Sequence, residues 1–455
     1  MQRKAGKDEG AVMVKVSIIL PSLNVGPYIE ECLNSVMAQT LNEIEIICID
    51  AGSTDGTWET LLNASAMDKR IRLIHSEIKS YGAQVNQGIK AAHGEYVAIL
   101  ETDDYVSHDM YEKLYNIAKR EDVDYVKADY TSFYTLRNGN RIFNKVKLFE
   151  DKPYLYNKVI NPHEIDDIYM KDMTLWKGIY KKNFLTKNGI YLNESPGAAY
   201  QDIGFKCLVL LYAKRAYYVD NPLYYYRMDR EEASTYSINV LKYTWTEFSR
   251  IYNIFDRKWG EVYLKGFYLY MAIAFCGEYK RTLIRANYNF GTQECSNYYK
   301  WFREKIQYAL SHRIIIMENF SVSMQDELLL LIHEEEAFAH NLEKSEKMIE
   351  NRWENVFSKS QGKKVVVFGA GHWGREALKH FDKKNALNNI MAFADNDIGK
   401  NGKNVAGIHI YSVYECTHMY PYAVYLIANL KYHEEINKQL EKMKIPTENI
   451  IDMFS

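Results

Sequence analysis

The N-terminal part of the sequence repeats one pattern, an apolar β-branched run followed by apolar residues at helical spacing. The runs Val14–Leu20 and Ile44–Ile49 flank a segment from Pro27 in which apolar residues recur with the period of a helix. Two such strands joined by a helix form a right-handed crossover in a parallel sheet. Ligands bind at the carboxyl ends of the strands in sheets of this kind. The pattern therefore predicts an α/β domain with a site where its strands end.

Polar residues stand where the predicted strands end. Asn24 and Asp50 follow the first two runs, and the run Tyr96–Leu100 leads directly into Glu101-Thr102-Asp103-Asp104. Because parallel strands end at the same edge of a sheet, we expect these groups to share one rim. Three carboxylates this close together repel one another unless a cation lies among them. The alternative is a solvated acidic turn that caps the next helix.

Two further segments contain residues suited to a ligand. Ser53 or Thr54 is expected to cap the helix that follows, whose N-terminal amides favour an anion. In the segment Tyr81–Gly88, glycines such as Gly82 let the backbone approach a ligand, and Asn86 offers both a donor and an acceptor. These residues are therefore candidate ligand contacts.

The segments described so far resemble, in their order and spacing, the nucleotide-sugar-dependent glycosyltransferases of the A fold, in particular the inverting family two. The matching segments are Val16–Asn24, Ile49–Thr57, Gly82–Gly88 and Glu101–Asp104. By this resemblance, Pro21, Asn24 and Asp50 line the nucleoside pocket and Asp104 lies beside the donor sugar. The predicted donor nucleotide-binding residues are Pro21, Asn24, Asp50, Ser53, Gly82, Asn86, Asp104 and Arg227.

The resemblance also implies a metal ion, Mg²⁺ or Mn²⁺, that neutralises the leaving diphosphate. Asp103 matches the metal-binding aspartate of the family's DxD signature. Two residues depart from the family pattern: Glu101 replaces the first aspartate of DxD, and Ala51 replaces the second aspartate before Gly-Ser-Thr. Because Glu101 is one methylene longer, Asp103 is the expected ligand.

The catalytic base is expected at Asp202. The family carries Glu-Asp before an apolar helix, and this sequence has Gln201-Asp202 there. By resemblance, Asp202 deprotonates the acceptor hydroxyl in a single displacement that inverts the anomeric configuration. The alternative role is a charge that complements the helix dipole. Arg227, with Ser234 beyond it, would either meet the diphosphate bidentately or pair with a surface carboxylate.

Another family-like segment begins at Trp176. It resembles the family's aromatic strand followed by a basic turn and a helix. The alternative is that Trp176 and Tyr180 are simply core residues and that Lys177, Lys181 and Lys182 form a solvated face, which we favour for the lysines.

The chain continues beyond the segment that resembles the catalytic domain. We predict a flexible tail at 1–13, the catalytic domain at 14–237, a helical region at 238–358 of undetermined role, and a small Rossmann-like α/β domain at 363–455. That last domain contains GxGxxG between a strand and a helix, followed by an aspartate after the next strand. Its residues Gly369, Gly371, Gly374 and Asp395 would hold a nucleotide, with a simple turn at Asp395–Asp397 as the alternative.

Composition excludes several other classes. A formal net charge of −2 over 455 residues argues against nucleic-acid binding. Six cysteines without CxxC spacing predict reduced core residues in a cytoplasmic protein. No apolar run approaches the roughly 20 residues of a membrane span, so at most peripheral association with the inner face of a membrane is expected. The sequence leaves a homo-oligomer open.

The first functional hypothesis is an inverting glycosyltransferase. It would move a sugar from a nucleoside-diphosphate sugar, most simply UDP-linked, to a hydroxyl of a glycan or lipid-linked acceptor in surface polysaccharide biosynthesis. One alternative is an NAD-linked oxidoreductase or epimerase acting through the C-terminal domain. The other is a non-catalytic sugar-nucleotide binding protein, which the departures Ala51, Glu101 and Gln201 would favour.

Overall fold

A computed structural model describes residues 13–230, 237–258, 264–288 and 293–455. The predicted tail, apart from its last residue, and Ser234 therefore lie outside the described residues. The chain divides into two units. The N-terminal unit comprises Met1–Ser132 and Asn144–Ala339, and the C-terminal unit comprises Phe133–Phe143 and His340–Ser455.

The elements of the chain up to residue 339 follow the predicted alternation and then become helical. They are β1 (Val16–Ser22), α1 (Gly26–Met37), β2 (Ile44–Asp50), α2 (Thr57–Met67), β3 (Ile71–His75), α3 (Tyr81–Ala91), β4 (Tyr96–Ile99), β5 (Tyr105–Val106), α4 (Met110–Glu121), β6 (Tyr125–Thr135), β7 (Arg141–Val146), β8 (Val159–Ile160), α5 (Ile168–Lys171), β9 (Gly178–Lys181), α6 (Lys182–Lys187), α7 (Gln201–Tyr212), β10 (Ala216–Arg227), α8 (Val240–Lys258), α9 (Leu264–Arg285), α10 (Gln293–Ser311) and α11 (Val322–His333).

The central sheet of this chain segment is mixed. Its strand order is β3-β2-β1-β4-β9-β6-β10-β5, and the first four strands are parallel. Ser22 is in register with Asp50, and Ile19 with Ile99, so β1, β2 and β4 end at the same edge. Strands β1 and β2 are buried along their whole length, as expected of parallel strands covered on both faces. The predicted parallel α/β arrangement is confirmed.

A buried ion cluster involves Lys127 on β6 and Lys177, which directly precedes β9. Lys127 and Lys177 both face Asp172, and all three side chains are at most 1% exposed. The prediction of a solvated face is therefore wrong for Lys177, because Asp172 supplies a partner that lets a lysine be buried. Trp176 and Tyr180 are core residues, as predicted.

Helices α8 to α11 pack around aromatic side chains. Phe248 contacts Phe267 and Phe302, and Phe275 stacks on Phe302 with 5.1 Å between the ring centroids. This confirms the prediction of packed helices. None of the described helices combines the length and apolar character that a bilayer crossing needs.

The remaining elements form a second sheet covered by helices. They are α12 (Glu335–Ser360), β11 (Val365–Phe368), α13 (His372–Lys383), β12 (Ile390–Ala394), β13 (Asn404–Val405), β14 (Ile408–Tyr411), α14 (Val413–Met419), β15 (Val424–Ile427), α15 (His433–Lys442) and β16 (Ile450–Asp452). The strand order is β13-β14-β12-β11-β15-β16, with the last five strands parallel.

The C-terminal unit also contains the tip of the β6–β7 hairpin. Leu136 and Ile142 are buried in one apolar cluster with Trp353 and Val365. The Arg137 N–H donates to the Asp382 carboxylate at 3.1 Å. A segment from the N-terminal third of the sequence thus completes the core of a unit that otherwise begins at residue 340.

Candidate active site

Hydrogen bonds join the turns that follow β1 and β2. The Asn24 N–H donates to Ser53 Oγ, and the Thr54 N–H donates to Asn24 Oδ1, both at 2.9 Å. Asn24 has φ +51°, a left-handed conformation that asparagine tolerates. The Asp50 carboxylate is buried and accepts from the Gly52 N–H at 2.8 Å, the Ser53 N–H at 2.9 Å and Ser53 Oγ at 2.5 Å. Asn24, Asp50 and Ser53 therefore lie together at one rim, as predicted.

The expected helix cap by Ser53 or Thr54 is wrong. Helix α2 begins at Thr57 after Gly56, which has φ +93° and makes no side-chain cap. Asp55 instead accepts from Thr57 Oγ1 at 2.6 Å and from the Gly26 N–H at 2.7 Å. The Ser53 hydroxyl is used between the two turns, so it is not available to the helix.

Pro21 connects β1 to the acidic turn, Glu101–Asp104. Its carbonyl oxygen accepts from Thr102 Oγ1 at 2.9 Å. Pro21 and Thr102 are both buried, so the contact fixes the acidic turn beside the end of β1.

Gly82 and Asn86 lie inside helix α3 and contact the chain itself. A Cβ at Gly82 would overlap the Asn193 carbonyl oxygen. The Asn86 amide donates to the Leu192 carbonyl oxygen at 2.9 Å and to Glu194 Oε1 at 3.0 Å, and its oxygen accepts from the Leu192 N–H at 2.9 Å. The structure thus gives both residues a packing role, and their contact with a ligand stays a prediction.

The acidic turn is held by hydroxyls and arginines. Tyr81 OH donates to Glu101 Oε1, and Arg230 Nη1 donates to Asp103 Oδ2 at 3.0 Å. Asp104 is buried and accepts from Tyr224 OH and from the Arg227 N–H, both at 2.7 Å. Asp104 therefore fixes the end of β10 to the acidic turn.

Arg227 lies against this turn with a nearly buried side chain. Its Nε donates to the Asp103 carbonyl oxygen at 2.8 Å, and Nη2 donates to Glu31 Oε2 at 2.7 Å. Its guanidinium also lies over the Tyr28 ring, 4.7 Å from the centroid. Arg227 thus pairs with the carboxylate of Glu31, as in the alternative prediction. It also contacts the acidic turn.

Arg230 was missed by sequence reasoning. Three positions after the Tyr-Arg that ends β10, it forms an ion pair with the predicted metal ligand Asp103. A single arginine next to a loop carries no spacing signal, and only a specific search for cations near the end of this strand could have found it.

Asp202 lies in the first turn of α7, after Tyr200 with φ +66°. Its Oδ1 accepts from the Ile203 N–H at 3.0 Å. Burial raises the pKa of Asp202 above its ordinary value, Lys206 acts to lower it, and Glu278 acts to raise it. A carboxylate with a raised pKa is a better general base near neutral pH.

Gln201 shapes the loop in front of Asp202. The buried side chain accepts from the Ala199 N–H at 2.7 Å and donates to the Gly197 carbonyl oxygen at 3.2 Å and to Ser195 Oγ at 3.1 Å. A neutral amide makes these donations, which a glutamate in this position could not.

The charge of Asp202 acts on the acidic turn. The pKa of Glu101 is raised to about 8, mainly by burial and then by the charges of Asp103 and Asp202, while the hydrogen bond from Tyr81 acts to lower it. Burial followed by the charge of Asp103 also raises the pKa of Asp104. The predicted base and the predicted diphosphate-binding turn therefore interact electrostatically.

The carboxylates of the acidic turn differ in their availability to a metal ion. Glu101 accepts a hydrogen bond from Tyr81 OH, and Asp104 accepts from Tyr224 OH and from the Arg227 N–H. Within the described ranges, no group of three or more His, Cys, Asp or Glu side chains is arranged to hold a metal. Asp103 is paired with Arg230 and stays the predicted ligand, since Mg²⁺ uses one or two carboxylates together with phosphate oxygens.

The GxGxxG segment of the C-terminal unit forms a tight turn. Gly369 has φ +112°, and a Cβ at Gly374 would overlap the Gly369 carbonyl oxygen, whereas Gly371 has open space beside it. Asp395 accepts from the Ala370 N–H at 2.9 Å and from Lys400 Nζ at 3.0 Å. Asp395 thus stabilises the turn, as in the alternative interpretation, and no nucleotide role is supported for this segment.

Comparison with known families agrees with the site in the N-terminal unit. Residues 17–179 match glycosyl transferase family 2. This match spans the turns after β1 and β2, helix α3 and the acidic turn. Residues 361–451 match a second family, described as C2185-like, N-terminal.

Curated relatives are similar to part of this chain. The uncharacterized glycosyltransferase EpsJ of Bacillus subtilis (strain 168) is 32% identical over 216 residues, which are 47% of this chain and 60% of the relative. Glycosyltransferase GlyG of Streptococcus pneumoniae serotype 4 is 39% identical over 129 residues, 28% of this chain and 42% of the relative. The chain thus spans less than two thirds of these relatives.

The fold is similar to that of S. aureus TarS. The crystal structure of its residues 1–349 with UDP-GlcNAc has a TM-score of 0.52 at 18% identity, and the match covers 73% of this chain and 91% of that one. The N-terminal region therefore has a fold similar to that of this nucleotide-sugar-binding structure.

Proposed function

We propose that the protein is an inverting glycosyltransferase that moves a sugar from a UDP-linked donor to a hydroxyl of a glycan or lipid-linked acceptor in surface polysaccharide biosynthesis. The observation that carries this proposal is the shared edge at which β1, β2 and β4 end, where Asn24, Asp50 and the acidic turn lie, with Asp202 in the first turn of α7 as the candidate base. The family match, the relatives named glycosyltransferases and the UDP-GlcNAc in the TarS crystal support it.

In this proposal Asp202 takes the proton of the acceptor hydroxyl. The acceptor oxygen forms a bond to the anomeric carbon as the bond from that carbon to the diphosphate oxygen breaks. Because attack and departure occur on opposite faces, the configuration inverts. Burial of Asp202 favours the step, since it raises the proton affinity of the carboxylate.

The donor would lie along the rim formed by the strand ends. Asn24, Asp50 and Ser53 form the turn pair that would contact the nucleoside, and Arg227 would donate to the diphosphate. If Mg²⁺ or Mn²⁺ binds, Asp103 would hold it, and the ion would neutralise charge on the leaving diphosphate. Arg230 would have to release Asp103 for that contact, since the two are paired in this structure.

The alternatives find less support. An NAD-linked reaction in the C-terminal unit would use Asp395 for the ribose, and that carboxylate is engaged by Ala370 and Lys400. A non-catalytic binding protein would need no base, and the raised pKa of Asp202 in the first turn of α7 supports an enzyme instead.

A panel of nucleotide sugars tests the proposal. Release of nucleoside diphosphate from UDP-glucose, UDP-galactose, UDP-N-acetylglucosamine and GDP-mannose is measured with Mn²⁺ and with a chelator. We expect release from at least one UDP-sugar, and an Asp202→Asn variant that binds this donor but loses at least about 100-fold in rate. The matched control is Asp220→Asn, an exposed aspartate of the same unit, which should retain full rate. Undiminished release by Asp202→Asn, or no release from any donor, contradicts the proposal.

A further inference from the structure

A buried lysine that the proposed mechanism does not use lies one helical turn after the base. Lys206 follows Asp202 by four positions on α7, so the two side chains lie on the same face of the helix. Lys206 is 1% exposed. Its Nζ donates to the Tyr169 carbonyl oxygen at 3.1 Å and lies 3.1 Å from the centroid of the Tyr270 ring. Neither of these partners carries a full negative charge, which is unusual for a buried ammonium group.

The titratable groups around Asp202 on neighbouring elements are mostly acidic. Glu278 on α9 acts to raise the pKa of Asp202. The charge of Asp202 in turn acts to raise the pKa of Tyr270 on α9, Glu247 on α8, Glu101 in the acidic turn and Tyr81 on α3. Two of these carboxylates have a cationic partner on their own helix. Arg281 pairs with Glu278, and Arg250 pairs with Glu247 at 3.0 Å.

Lys206 differs from these two arginines because its charge is not used in an ion pair of its own helix. The interaction of Lys206 with Asp202 lowers the pKa of the aspartate and raises that of the lysine. Burial lowers the pKa of Lys206 to about 7, so the amine is charged throughout the acidic range in which a carboxylate base titrates.

We propose that Lys206 is a positioning residue whose buried ammonium group keeps the Asp202 carboxylate ionised among its acidic neighbours, so that it is ready to accept the acceptor proton. This inference rests on the proposed function. It assigns a purpose to an otherwise unfavourable buried cation, and it separates two roles on one helix: Asp202 reacts, and Lys206 acts only through Asp202.

The test is the pH profile of kcat/KM, with the nucleotide sugar identified by the panel above, between pH 5 and pH 9. In Lys206→Met, the acidic limb should move to higher pH by roughly 0.5–1 unit. In Glu278→Gln, which removes an opposing charge, the same limb should move to lower pH. The melting temperature of Lys206→Met is measured alongside at pH 7, because removing one partner of a buried interacting pair leaves the other without compensation.

The outcomes are separable. If Asp202→Asn retains full rate, the proposed function itself fails. If Asp202→Asn is inactive but Lys206→Met loses rate equally at every pH, Lys206 serves packing alone and this inference is overturned. Should Lys206→Met fold poorly, the neutral polar variant Lys206→Gln decides: an acidic limb at the wild-type position overturns the inference, and a limb moved to higher pH supports it.

Discussion

Replacement of Asp172 by asparagine should destabilise the N-terminal unit strongly at neutral pH. The Asp172 carboxylate accepts from Lys127 Nζ at 2.9 and 2.8 Å and from Tyr218 OH at 2.8 Å, and it lies 3.6 Å from Lys177 Nζ. In Asp172→Asn, both lysines remain in place without a counter-charge. Removing one partner of a buried ion pair destabilises a protein by about 3–5 kcal/mol, because the remaining charge is left without compensation.

The effect should depend on pH with a defined sign. Burial lowers the pKa of Lys127 and lowers that of Lys177 to about 8, and Asp172 opposes both shifts. Without Asp172 both values fall further. Between the folded pKa and about 10.4, the unfolded chain binds more protons than the folded chain, so stability rises with pH. The difference between Asp172→Asn and wild type should therefore be larger at pH 7 than at pH 9.5.

Thermal melting at these two pH values measures the effect. For a unit of this size, 3–5 kcal/mol corresponds to a lowering of roughly 4–7 °C at pH 7. The matched control is Asp151→Asn, which breaks an exposed pair with Lys171, and should change the melting temperature by no more than about 1 °C. A melting temperature of Asp172→Asn equal to that of wild type at pH 7, or a difference that widens at pH 9.5, would refute this reasoning.

Two further predictions concern packing in each of the two units. Gly82→Ala should destabilise the N-terminal unit by about 1–3 kcal/mol, since the added Cβ meets the rigid carbonyl of Asn193, and an unchanged melting temperature would contradict the packing role. Leu136→Ala should destabilise the C-terminal unit by about 2–5 kcal/mol, because it opens a cavity in the cluster around Val365. Relative to wild type, hydrogen exchange in Leu136→Ala should speed up more in β11 than in β1. A larger increase in β1 would contradict the assignment of the hairpin tip to the C-terminal unit.

Features with a local sequence signal could be predicted. The parallel strands β1, β2 and β4 follow from short β-branched runs separated by helical periodicity. The rim formed by Asn24, Asp50 and the acidic turn follows from the rule that parallel strands end together. Neither inference needs knowledge of contacts between distant residues.

Features that depend on contacts between distant residues could not be predicted. Asn86 and its partner Leu192 are 106 positions apart, so nothing near Asn86 indicates that its amide is already satisfied. Lys177 looks solvated in sequence because its neighbours Lys181 and Lys182 are, and only the position of Asp172 explains its burial. The sequence predicts that the Ser53 hydroxyl caps the following helix. In the structure its oxygen accepts from the N–H of Asn24, which is 29 positions away.

The hairpin tip at 133–143 has a consequence for any attempt to separate the two units. The C-terminal family match covers 361–451 only, yet the core of this unit includes Leu136 and Ile142. A fragment beginning at residue 340 would lack that wall of its core, whereas during synthesis the hairpin emerges from the ribosome two hundred residues earlier. The C-terminal unit is therefore not expected to be complete as a separate fragment, because part of its core is supplied by residues synthesised much earlier in the chain.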